Sequence, residues 1–212
     1  MMPCHRLAAA MTLLLMSEVG CGSQLPLAPS NRPVTVAGRV LDFSTNASLA
    51  GAMVAFGTLD SGPFVAVGTA ISDAAGSYRL TVPTVAQAPG LRPWYVQVDG
   101  ASIGRARVTD AAYRGDFFVH PGTCVARYGI VADGLTLRPV AGARVSLLGS
   151  SVITAIDGWY RIDFGCPTDG WVGFNTTFMN VTHPDYLDGS EITGRGVYSV
   201  ERLDVWLERR SR

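Results

Sequence analysis

The chain offers few side chains that could do chemistry, and their spacing argues against most kinds. Of three histidines, His120 and His183 each precede a proline. Neither has a second imidazole or a glutamate at the His-x-x-x-His or His-x-x-Glu spacing from which zinc sites are built. Thirteen of the 17 acidic residues are aspartates, and most stand beside glycine in turns, where Asp hydrogen-bonds its own backbone. Asp185, Asp188 and Glu191 around Gly189 form a weak calcium candidate, because a hard cation wants several carboxylates in one loop. No cofactor is expected. Trp159, Trp171 and Trp206 are the candidate ligand aromatics. By strand alternation Trp159 faces away from the core side taken by Tyr160, and Trp206 opposes Val205 and Leu207. An exposed indole pair there could stack on sugar faces.

The elements that must position these groups come in two copies. Gly38, Val40, Asp42, Thr45, Ala50, Gly51, Ala52 and Val54 return 91 positions later as Gly129, Val131, Asp133, Thr136, Ala141, Gly142, Ala143 and Val145. Gly76, Tyr78, Arg79 and Leu80 return 82 positions later as Gly158, Tyr160, Arg161 and Ile162, so the second copy has a shorter hairpin between the two blocks. Within each copy the apolar residues alternate. Tyr78, Leu80 and Val82 share one face, and Tyr160, Ile162 and Phe164 repeat it. Glycines and prolines between short Val-, Tyr- and Phe-rich runs predict strands and turns, and the fold class is all-β.

The first twenty residues read as an export signal: His5 and Arg6, an apolar run from Leu7 to Met16 too short to span a bilayer, then Val19-Gly20-Cys21-Gly22-Ser23. This stretch resembles a bacterial lipoprotein signal, which implies that Cys21 is acylated and anchors the chain to a membrane. Glu18 departs from the aliphatic residue that pattern prefers. Gly22 after the cysteine, rather than Asp, resembles lipoproteins sent to an outer membrane. Residues 21–33 follow as a proline-rich tether. With 17 basic residues, all arginine, against 17 acidic ones, net charge is zero, which gives no electrostatic reason to expect nucleic acid as a partner.

The blocks Gly38-Arg39-Val40, Leu49 to Val54 and Ser72 to Pro83 resemble the carboxypeptidase regulatory-like domain, and Leu137 to Ala143 matches that pattern too. The resemblance implies two tandem seven-stranded antiparallel β-sandwiches of the prealbumin-like kind, over residues 34–120 and 121–209, followed by a basic tail, 210–212. It carries no catalytic residue across, because the family is the appendage and not the peptidase. Cys124 precedes the first strand of the second copy and Cys166 follows its fourth, at the same end of such a sandwich. In an exported chain they are expected to form a disulfide. The expected function is non-enzymatic: an envelope lipoprotein acting as a spacer or a contact module for other envelope proteins. A carbohydrate-binding module that takes a polysaccharide on its aromatics is the alternative, and an accessory subunit of a secreted peptidase or outer-membrane transporter a third option.

Overall fold

The computed structural model describes residues 33–59, 63–83, 94–108, 112–120, 124–166, 177–193 and 199–211. The export leader, Cys21, nearly all of the tether and Trp171 lie outside the described residues. Among the described residues there are sixteen strands and no helix.

The first copy contributes β1 (Val34–Asp42), β2 (Met53–Leu59), β3 (Phe64–Ile71), β4 (Ser77–Val82), β5 (Trp94–Val98), β6 (Ser102–Ala106), β7 (Ala112–Arg114) and β8 (Phe117–Val119). The second contributes β9 (Ala126–Asp133), β10 (Arg144–Leu147), β11 (Ser150–Ile153), β12 (Trp159–Asp163), β13 (Thr177–Thr182), β14 (Gly189–Thr193), β15 (Val200–Arg202) and β16 (Val205–Leu207). Pairing repeats with the sequence. β4-β1-β7, with β8 also on β1, corresponds to β12-β9-β15, with β16 also on β9; β3-β2-β5-β6 corresponds to β11-β10-β13-β14. Each copy packs its two sheets over its own apolar core. Val36, Val40, Val54, Phe56, Tyr78, Leu80 and Val96 belong to the first, and Val131, Val145, Leu147, Tyr160, Ile162, Met179 and Val181 to the second. That is a β-sandwich, with alternate side chains of each strand turned inward.

β7 and β8 both run parallel to β1 and are separated only by Gly115 and Asp116, so they are the halves of one bent strand. Counted that way each copy has seven strands among the described residues, as the resemblance implies, but the closing strand is parallel to its neighbour. The chain reaches it by crossing from the other sheet, and a crossover returns in the same direction.

The bend accounts for two of the repeated positions. A side chain on Gly38 would overlap the Gly115 carbonyl, and one on Gly129 would overlap the Leu203 carbonyl. The same two carbonyls accept the buried hydroxyls of Tyr78 at 2.8 Å and Tyr160 at 2.5 Å. The Gly–Tyr pair therefore recurs because it holds each closing strand against the first. The shortened hairpin of the second copy turns at Leu148 and Gly149, both at positive φ (50° and 81°), which suits a tight two-residue connection.

The copies are not separate along one sheet. β15 runs parallel to β9 of its own copy and also to β6 of the first, pairing Val200 with Ser102 and Arg202 with Gly104. A single sheet, β12-β9-β15-β6-β5-β2-β3, thus passes through both copies.

Candidate functional site

Joining two sheets at β15 buries a strand that carries two charges. Glu201 and Arg127 are only 3% and 1% exposed, and the Arg127 Nε lies 3.2 Å from Glu201 Oε2. The Arg127 guanidinium also donates to the carbonyls of Ala126 (2.8 Å) and Ser199 (3.0 Å). Burial draws the Arg127 pKa down, and the Glu201 charge opposes that shift. Arg202, equally buried, donates from Nη1 to the Asp116 carbonyl of the first copy at 2.8 Å and from Nε to Asp204 at 3.1 Å. The charges are tolerated because every one of these contacts is made inside the seam.

Beside them lies a third apolar cluster built from both copies: Leu41, Phe43 and Phe118 meet Ala126, Tyr128 and Val200. The Phe118 and Tyr128 rings meet edge to face at 5.0 Å, and the Tyr128 hydroxyl accepts the Phe118 backbone N–H at 3.0 Å. Burial pushes the Tyr128 phenol up to about 12. Arg161 stacks 3.5 Å over the Phe43 ring centroid and donates to the Phe43 carbonyl.

The tryptophans border this seam. Trp159 is half-buried against Phe118 (5.8 Å) and Tyr128 (5.6 Å). Its free edge lines a surface groove of about 440 Å³ with Arg39, Arg114, Asp116 and Asp157. Arg39 donates to Asp116 at 2.8 Å, closing one wall. Trp206, also half-buried, lies under the Arg107 guanidinium at 5.1 Å and lines a second groove of about 420 Å³ with Tyr113, Arg114 and Asp204. Arg114 borders both. The two indoles therefore do not form one contiguous platform; each offers part of a ring beside guanidinium and carboxylate groups.

The calcium candidates are not brought together as one donor set. Asp188 pairs with Arg210 at 3.4 Å, Asp185 stands exposed in the preceding turn, and Glu191 lines a narrow cleft with Tyr95, Ile103 and Glu201. The converging metal-type donors among the described residues are instead His120, Cys124 and Cys166, whose ligand atoms all lie within 4.8 Å of one another. The two cysteines form the expected disulfide. They meet because β9 and β12 pair in antiparallel fashion, and the ladder continues past them through Val125 N–H to the Gly165 carbonyl and Phe164 N–H to the Val125 carbonyl, both at 2.9 Å. His120 follows β8, is 7% exposed and lies 5.2 Å from the Phe43 ring; its Nδ1 has no hydrogen-bond partner among the described residues. Spacing alone could not single out His120, because the disulfide partner Cys166 is far away in sequence.

One further pattern, not among the candidates above, is Gly100-Ala101-Ser102-Ile103-Gly104, which fits the Gly-x-Ser-x-Gly spacing of a serine nucleophile. Ser102 is fully buried within β6, between Val98 of β5 and Val200 of β15. A nucleophile elbow needs an exposed serine on a strand-to-helix turn, and this position supplies neither.

No family model matches the chain, and no curated protein matches it either. Among solved structures it is similar to the shaft pilin SpaA from Lactobacillus rhamnosus GG, at 9% identity and a TM-score of 0.33, covering 85% of this chain and 99% of the pilin. It is similar also to a streptococcal ancillary pilin (14%, TM-score 0.30, 85% and 63% covered) and to the Bacillus anthracis TIE protein (11%, TM-score 0.29, 84% and 34% covered). Likenesses this remote carry no argument about function.

Proposed function

We propose that the chain is a non-enzymatic spacer of the cell envelope: two carboxypeptidase regulatory-like sandwiches, tethered through a lipid on Cys21, that hold protein contacts at a set distance from the membrane. The observation that carries this reading is the seam. A shared sheet, the Arg202 hydrogen bond to the Asp116 carbonyl and an aromatic cluster fix one copy on the other, and a spacer has to be stiff across its modules. Export is supported by the leader and by the Cys124–Cys166 disulfide. The repeated Gly–Tyr pair supports reading both copies as one family module.

The test is fractionation of the native host with mass spectrometry of the N-terminus. Full-length protein is expected in the outer-membrane fraction with an acylated Cys21, and Cys21→Ser protein in the soluble envelope fraction. An unmodified, soluble wild type defeats the anchored reading.

A second reading, carbohydrate binding, is favoured by one observation: Trp159 borders a groove rimmed by Arg39, Arg114, Asp116 and Asp157, the mixture of ring face and hydrogen-bonding groups that a sugar uses. A glycan array separates the two. Binding that vanishes in Trp159→Ala protein of unchanged melting temperature selects the carbohydrate reading; no binding by the wild type removes it.

A further inference from the structure

We infer that His120, Cys124 and Cys166 form a redox-gated site for zinc or a similarly thiophilic divalent ion, closed while the disulfide stands and open when it is reduced. The inference stands apart from the spacer reading. Three observations carry it. One ring nitrogen of His120 and the two sulfurs already lie within 4.8 Å of one another. A tetrahedral zinc with Zn–S bonds of about 2.3 Å and Zn–N bonds of about 2.0 Å places its ligand atoms roughly 3.3–3.8 Å apart, inside that span. The sulfurs must separate only from bonding distance, about 2.0 Å, to that spacing, a change that side-chain rotation can supply.

Next, the His120 Nδ1 is buried with no hydrogen-bond partner among the described residues. Buried imidazole nitrogens are normally satisfied, and an orphan of this kind is the mark of a missing proton donor or ion. A metal ion, which the sulfurs cannot bind while joined, would give that buried imidazole a partner. The Phe43 ring, 5.2 Å from the imidazole, packs the histidine in place. Lastly, Cys166 is exposed whereas Cys124 and His120 are buried, so a reductant and an ion have one sulfur to approach from solvent.

The chemistry balances with a phosphine as reductant. Two electrons from phosphorus break the sulfur–sulfur bond, water supplies the oxygen of the phosphine oxide, and its two protons convert Cys124 and Cys166 to thiols. The ion then displaces both thiol protons and is held by two thiolates and the neutral His120 ring, with water completing its shell.

Cobalt(II) serves as the coloured probe. Full-length protein reduced with a phosphine is titrated with cobalt in the absence of oxygen, beside oxidised protein, Cys124→Ser/Cys166→Ser protein and His120→Ala protein. Tryptophan fluorescence reports the fold in each sample. The reduced wild type is expected to develop thiolate-to-cobalt charge-transfer bands and tetrahedral d–d bands that saturate at one ion per chain and disappear on adding zinc. The oxidised and double-serine proteins are expected to show none, and reduced His120→Ala protein to lose the tetrahedral spectrum or to need at least tenfold more cobalt. The inference is overturned by a reduced wild type without these bands, by one whose fluorescence is that of an unfolded chain when the bands appear, or by His120→Ala protein that binds as tightly as the wild type.

Discussion

Asp133 closes one turn and pins another segment to it. Its Oδ1 accepts the backbone N–H groups of Leu135 (3.1 Å) and Thr136 (2.8 Å), while Oδ2 accepts Arg209 Nε at 2.7 Å and the Tyr186 hydroxyl at 3.1 Å. The Arg209 bond first, and then the Thr136 N–H, hold its carboxyl well below the usual carboxylate range, against the opposing effect of burial. A folded value below the unfolded one, about 3.9, means that the stabilisation is complete above that pH and is lost as pH falls through the folded value. Asp133→Asn protein is therefore expected to unfold at lower urea concentration at pH 7. Its midpoint should also fall less steeply than that of the wild type between pH 5 and pH 2, which urea titrations at stepped pH would measure. Parallel slopes for the two proteins would defeat the assignment. The turn was legible in the sequence because Asp42 and Asp133 recur with Thr45 and Thr136 three positions on, and Asp42 likewise accepts Thr45 N–H at 2.8 Å. The Arg209 bond was not, because its partners lie 76 residues apart and local spacing carries no trace of them.

Among the elements, β15 was the least legible. Val200-Glu201-Arg202 shows neither alternation nor a β-branched run, and its two charges argue for a surface loop. It is nonetheless paired on both edges and buried on both faces, because Arg127 answers Glu201 while Asp204 and the Asp116 carbonyl answer Arg202. β4 is the opposite case. Tyr78, Leu80 and Val82 alternate with exposed or half-exposed neighbours, and the sequence pattern alone places its buried face. The same alternation turned Trp159 to the side opposite Tyr160 but could not foresee that it would pack on the third apolar cluster, against the first copy's Phe118. The ion pair sets the scale of a test. Arg127→Met removes the Arg127 guanidinium from buried Glu201 and is expected to cost about 3–5 kcal/mol, whereas Arg127→Met with Glu201→Leu is expected to recover much of that loss. Chemical denaturation of both proteins beside the wild type measures it, and equal costs for the single and double variants would show that the loss does not come from a stranded Glu201 charge.

At the scale of the whole molecule, the tandem repeat was readable because each constraint that produces it fixes a residue type at one position of each copy: a glycine where two strands touch, a tyrosine that bonds the bent strand, a tight turn at Gly76 and again at Gly158. How the copies join was not, because their linkage rests on β6 and β15, which are not neighbours in the chain. With one sheet and one aromatic cluster shared between the cores, heating is expected to unfold both in a single calorimetric transition whose van't Hoff and calorimetric enthalpies agree. Two resolved transitions would show that each copy melts alone. The shared sheet also bears on how the chain acquires its shape. β6 is synthesised long before the strand that will lie against it, so until β15 arrives its outer edge is open to strands from other nascent polypeptides. A binding chaperone that covers Ser102–Ala106 during this wait would raise the yield of native protein more than one acting on the finished second copy.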